Sequence, residues 1–128
     1  MEILRLDHVN IKTNRLIEMV AFYEDVLGMK SGQRPNFPSH GAWIYVGAIP
    51  IIHLVEIDRE CASLEPKIEH FALQASGLED LLETLEERKV KYTLDPVPGL
   101  STIQVNLADV DGNHIHIDFI STETKFLN

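Results

Sequence analysis

From Leu4 to Thr13 the chain reads LRLDHVNIKT, an alternation of apolar and polar residues with the period of a strand that buries one face. From Asn14 to Leu27 the period lengthens. Leu16, Met19, Val20, Tyr23, Val26 and Leu27 then share one helical stripe, and Gly28 stands where a helix stops. Strand-like runs follow at Met29 to Gln33, Ala42 to Val46 and Ile49 to Ile57, separated by the turn-rich RPNFPSHG and by Gly47. After a polar linker, DRECASLEP, the order begins again. KIEHFALQA (Lys67 to Ala75) is a strand, and Ser76 with Glu79 forms an S-x-x-E capping box ahead of a helix with the stripe Leu78, Leu81, Leu82, Leu85. Arg88 and Lys89 lie near the end of that helix, where cations suit the macrodipole. Val90 to Leu94, Thr102 to Leu107 and Gly112 to Phe119 complete a second β-α-β-β-β series, with a turn at Asp111-Gly112.

The register of the two series carries more information than their order. His8 and His70 are 62 positions apart, as are Leu16 and Leu78, and His53 and His116 are 63 apart. Each half thus sets one histidine on its first strand and one on its last. In DHVNI, IIHLV, EHFAL and HIHIDF the apolar neighbours point opposite to the histidine, which places all four imidazoles on the sheet face turned away from the helices. The fold class expected is α+β: two βαβββ modules, about 1–57 and 67–121, forming a curved, barrel-like mixed sheet around a cavity with the helices outside. Neutral imidazole is a good ligand for Zn, Ni, Mn or Fe, and ligands on separate strands make a rigid site. His8, His53, His70 and His116 are therefore the candidate ligands of one divalent metal ion. His114 shares their parity but has Ile51 as its counterpart in the first half, so it is expected at the rim of the site, in contact with substrate or ligands. Asp118 is expected as a solvated strand end, and His40 as an ordinary loop residue.

Composition narrows the partners. At 128 residues with 45% hydrophobic content the chain suits one globular domain, and a formal charge of −9 argues against nucleic acid and anionic membranes as partners. With no leader-like N-terminus and no long apolar run, a cytoplasmic location is expected. Cys61 is the single cysteine, which excludes an intrachain disulfide. No HExxH, paired CxxC, GxxxxGK[ST] or GxGxxG occurs, so the peptidase, zinc-ribbon, P-loop and dinucleotide readings lack support.

The repeated plan, the opening LDHVNIKT, the helix end FYEDVLGMK, the strand pair WIYVGAIPIIHLVE and the closing DVDGNHIHIDF together resemble the vicinal oxygen chelate superfamily. That superfamily includes glyoxalase I, methylmalonyl-CoA epimerase, fosfomycin-resistance proteins, extradiol dioxygenases and bleomycin-resistance proteins. The resemblance implies metal ligands at the same four positions, His8, His53, His70 and His116. It also exposes a departure: most metal-binding relatives carry Glu where this chain has His116, and an all-imidazole set gives the metal less ligand negative charge.

Two functional classes follow from the resemblance. One is a metal-dependent lyase, isomerase or dioxygenase acting on a small oxygenated metabolite through vicinal oxygens. The other is a metal-independent protein that binds and sequesters a small molecule, as bleomycin-resistance proteins do. By parity Trp43, Tyr45, Gln104 and Asn106 point into the expected cavity, either against substrate or as inner-sheet packing. Arg34, beside the RPNFPSHG loop, either binds a carboxylate of the substrate or is solvated. A homodimer is expected, because open curved sheets leave edges to cover.

Overall fold

The computed structural model describes residues 1–62 and 65–120. The chain divides into two compact units at Ala62, each built on its own four-stranded mixed sheet. In the first, β1 (Val9–Thr13) runs parallel to β4 (Ile49–Glu56), while β2 (Lys30–Gly32) and β3 (Gly41–Val46) add antiparallel strands in the order β1-β4-β3-β2. In the second, β5 (His70–Gln74), β6 (Tyr92–Pro96), β7 (Thr102–Ala108) and β8 (His114–Ile120) repeat that order as β5-β8-β7-β6. The expected α+β class and the duplicated strand plan are both present.

Helix α1 (Leu16–Ala21) packs on β3 and β4 and buries Met19, and Ile44, Ile52 and Leu54 of those strands are buried as well. It runs on into a π-helical turn, Phe22–Val26, where strict α periodicity is expected from sequence. The wider turn brings both Phe22 and Tyr23 into the core, packed edge to face with ring centroids 5.4 Å apart. Gly28, at φ +66, then ends the helix as its place in the sequence predicts. Helix α2 (Leu78–Glu87) buries Leu78 and Leu85; its N-cap position is held by Gly77 at φ +87, one residue later than the Ser76 box would put it. Its C-terminus closes with Lys89 at φ +56, Lys89 N–H donating to Glu86 O and Val90 N–H to Leu85 O.

Both first strands begin later than the alternation predicts. Leu4 and Leu6 are exposed, and β1 starts at Val9, opposite Ile52. Extended two residues back, the register would set Asp7 against Pro50, which has no N–H to give. β5 starts at His70, opposite His114, because the residues before His114 are spent on a turn. That turn is built by Asp109. Its buried carboxylate accepts from Asp111 N–H at 3.0 Å, Asn113 N–H at 2.9 Å and Asn113 Nδ2 at 2.8 Å, while Gly112 takes φ +82. The DVDGN motif is thus the device that fixes where β8 begins. Among the described residues no helix is long and apolar enough to cross a membrane.

Candidate metal and ligand site

In the first unit β4 carries His53 directly opposite Trp43 of β3, and the rings stack with centroids 4.0 Å apart and planes 10° from parallel. His8, one residue before β1, lies on the other face of His53 at 3.9 Å and 13°. The ladder continues outward from Trp43 to Phe37 at 6.3 Å, and the Arg34 guanidinium sits 4.9 Å from the Phe37 centroid while donating to Ser39 Oγ at 3.3 Å. Five flat groups therefore line one side of this unit. Tyr45 lies beside them with its ring over Gly32 and its hydroxyl donating to the Gln33 carbonyl. Gly41 is required by close approach: a Cβ there would sit 2.2 Å from the Leu54 carbonyl oxygen and 3.0 Å from the Arg34 guanidinium.

Burial lowers the pKa of His53 below its ordinary value of 6.5, helped by the neighbouring His8 charge and opposed by a bond from Nε2 to the Pro50 carbonyl. His8 Nδ1 donates to Asp7 Oδ2 at 2.7 Å, and this bond, with a second from Arg5, holds the Asp7 carboxyl below its usual range. The stacking has a coordination consequence. A metal bound by imidazole lies in the ring plane about 2.0–2.1 Å from nitrogen, so two rings this close to parallel share no such point, and one must turn for both to serve one ion.

The second unit arranges its imidazoles differently. His70 opens β5 and pairs in register with His114, which opens β8; His116 lies two residues further on, opposite Ala72 and Asn106. The His70 ring is 4.5 Å from that of His116 and 5.1 Å from that of His114, with planes tilted by 49° and 56°. Glu69 joins two of them, accepting from His70 Nδ1 through one oxygen and from His114 Nδ1 at 2.7 Å through the other. These two bonds, His70 first, hold Glu69 below the usual carboxylate range. Ligand atoms of Glu69, His70 and His114 all lie within 4.8 Å of one another. His116, buried, donates from Nδ1 to Asp118 Oδ1 at 2.6 Å.

The expected residues fall out as follows. His8 and His53 are brought together with Trp43, and His70 with His116. His114, expected at the rim, is half-buried beside His70 and bonded to Glu69. Asp118, expected as a solvated strand end, instead orients His116. Asn106 has both ends of its amide in use, Oδ1 accepting from His114 Nε2 at 2.8 Å and Nδ2 donating to Asp95 at 2.9 Å. Gln104 stands opposite Asp118 in the β7–β8 pairing. His40 is an exposed loop residue, 3.9 Å from Glu56. Glu69, Asp7 and Phe37 were not anticipated. An acid directly before each first-strand histidine, repeated at the same 62-residue interval, was the available signal for the first two.

For three imidazoles, His8, His70 and His116, the Nδ1 bond to a carboxylate fixes the proton on Nδ1 and leaves the lone pair on Nε2. This is how metal-ligating histidines are held, and the donor chemistry fits a divalent cation.

Comparison with known proteins agrees with this architecture. The family model described as the Glyoxalase/Bleomycin resistance protein/Dioxygenase superfamily matches residues 5–117. The protein called Glyoxylase I 4 from Arabidopsis thaliana is 30% identical, over 88% of this chain and 68% of its own. A putative glyoxalase family protein from Bacillus anthracis superposes with a TM-score of 0.76 at 21% identity, covering 94% of this chain and 98% of that one. The genomically encoded fosfomycin resistance protein of Listeria monocytogenes does so with a TM-score of 0.72 at 16% identity, covering 98% and 100%. With its duplicated sheet plan and this match over most of its length, the chain belongs to the glyoxalase/bleomycin resistance protein/dioxygenase superfamily.

Proposed function

We propose that the chain is a metal-dependent enzyme of the glyoxalase/dioxygenase type, a lyase, isomerase or dioxygenase acting on a small metabolite held through two neighbouring oxygens. His8, His53, His70 and His116 are its proposed ligands for one divalent ion, Zn, Ni, Mn or Fe. The observation that carries this reading is the carboxylate behind three of the four rings, Asp7, Glu69 and Asp118, each leaving an Nε2 lone pair for coordination. A bound divalent ion supplies Lewis acidity toward an oxyanion or enolate. The protein's own contribution is orientation. The exposed part of Phe37 and the edge of Trp43 offer apolar contact to a substrate, Arg34 offers a guanidinium to an anionic group, and Gln104 offers an amide. Tyr45 is tied through its hydroxyl to the Gln33 carbonyl and shapes the wall. The names of the relatives, Glyoxylase I 4 and a fosfomycin resistance protein, support small-molecule chemistry of this kind. The proposal includes a cytoplasmic homodimer.

Elemental analysis of untagged protein purified without chelator tests it. About one equivalent of metal per chain is expected, lost in His8→Ala and His70→Ala. Native protein that holds no metal and gains none on dialysis against Zn, Ni, Mn or Fe would refute it. Light scattering at twice the chain mass tests the dimer.

One observation favours a second reading. The column of stacked rings from His8 to Trp43, continued by Phe37 and capped by the Arg34 cation, presents a row of aromatic edges beside a positive charge, suited to an aromatic anionic molecule in a metal-free binding protein. On that reading, binding of an aromatic carboxylate is unchanged by chelator and falls in Trp43→Ala.

A further inference from the structure

Position 116 lacks the carboxylate that an oxygen-seeking metal favours, yet a carboxylate stands within reach of the same imidazoles. We infer that the second unit holds a donor set of its own, in which Glu69 supplies that carboxylate and joins His70 and His114 around one divalent cation. The inference rests on the reading that the chain binds a metal, and it names different ligands for it.

The three donors come from fixed places. Glu69 directly precedes β5, His70 opens β5, and His114 opens the adjacent parallel strand in register with His70. The Asp109 turn sets where β8 begins, and with it the place of His114 opposite His70. Their ligand atoms already lie within 4.8 Å of one another. Tetrahedral donors about 2.0–2.2 Å from a common ion stand a little over 3 Å apart, so adjustment of exposed side-chain torsions closes the set. The ring planes of His70 and His114 meet at 56°, which gives them a shared in-plane region that the stacked His8 and His53 lack.

The surroundings of His114 have the form of an outer shell. Its Nδ1 faces Glu69, while its Nε2 donates to Asn106 Oδ1, and Asn106 is held by Asp95, which also accepts from Thr93 Oγ1 at 2.8 Å. An ion taken between Glu69 and His114 Nδ1 displaces the Nδ1 proton to solvent and leaves the bonds from Nε2 outward intact. Asn106 is then a positioning residue for a ligand, which explains why both ends of its amide are engaged inside the protein. His116, backed by Asp118, stands next to His70 as a further imidazole for the same cation. Two imidazoles and a carboxylate suit Fe(II), Mn or Zn and remove the charge deficit of an all-imidazole set.

The test is titration of the metal-free full chain with Co²⁺ and Zn²⁺, read by calorimetry and by Co²⁺ visible absorption. The native chain is compared with Glu69→Gln, His114→Ala, and His40→Ala as a control for loss of an imidazole elsewhere. Glu69→Gln and His114→Ala are each expected to lower affinity at least tenfold and to change the Co²⁺ spectrum, with far-ultraviolet circular dichroism unchanged; His40→Ala is expected to match native protein. Affinity and spectrum within threefold of native in either Glu69→Gln or His114→Ala overturns the inference while leaving the metal-enzyme reading standing. Native protein that binds neither cation overturns both.

Discussion

Removal of the Asp109 carboxylate is the sharpest test of how the fold places the metal-ligand strand. In Asp109→Ala three donors lose their acceptor at once: the amides of Asp111 and Asn113 and the side-chain amide of Asn113, at 3.0, 2.9 and 2.8 Å. Hydrogen bonds to a charged acceptor contribute about 1.5–3 kcal/mol each, but the donors lie in a half-buried turn that water can reach once the carboxylate is gone. A figure of about 1 kcal/mol per bond, or about 3 kcal/mol in all, is therefore the expected loss. For a chain of this size that lowers Tm by about 12 °C and removes a large part of a stability of about 5–15 kcal/mol. Asp109→Asn keeps one oxygen for the two backbone donors and turns an amide toward Asn113 Nδ2, so about 1–2 kcal/mol is expected. Urea unfolding of the three proteins measures both values. Asp109→Ala within 1 kcal/mol of native, or an Asn variant as damaged as the Ala variant, would refute the role given to this carboxylate.

Three further outcomes follow from the first unit. Trp43 is the sole tryptophan and stacks on His53, whose pKa burial has lowered below 6.5, so Trp43 emission is expected to fall on acidification with a midpoint below 6.5 and to lose that transition in His53→Ala. The sign for stability is fixed by the same shift: the fold prefers the neutral ring, so this contribution is whole above 6.5 and is lost as pH falls through the lower folded value, measurable as a drop in Tm that His53→Ala lacks. Gly41→Ala is expected to cost about 2–3 kcal/mol because its Cβ would meet a backbone oxygen, whereas Gly32→Ala meets only the movable Tyr45 ring and is expected to cost under about 1 kcal/mol; equal losses in chemical denaturation would contradict the contact geometry.

The order of elements was legible because alternation and helical stripes change period sharply at Thr13, Gly28 and Ser76. The ends were less so. Nothing in LRLDH announces that Pro50, more than forty residues away, withholds the N–H that would extend β1. Parity set His53 and His116 against apolar neighbours that are buried, Ile52, Leu54, Ile115 and Ile117. Parity also concealed Glu69 and Asp7, which stand just outside the strands, where a residue next to a histidine can fold back on it rather than point to the far side. The π turn at Phe22–Val26 has no periodic signature at all, being a response to two adjacent rings that both seek the core.

The two sheets share one wiring, yet one face is written in stacked rings and the other in imidazoles and acids. The seat that His114 occupies in the second sheet belongs to Ile51 in the first, one step before the paired Val9 and Ile52. A histidine installed there would stand beside His8 and Asp7 as His114 stands beside His70 and Glu69. The scaffold is therefore a blank printed twice, and the chemistry of either copy is open to transcription onto the other by changing side chains alone.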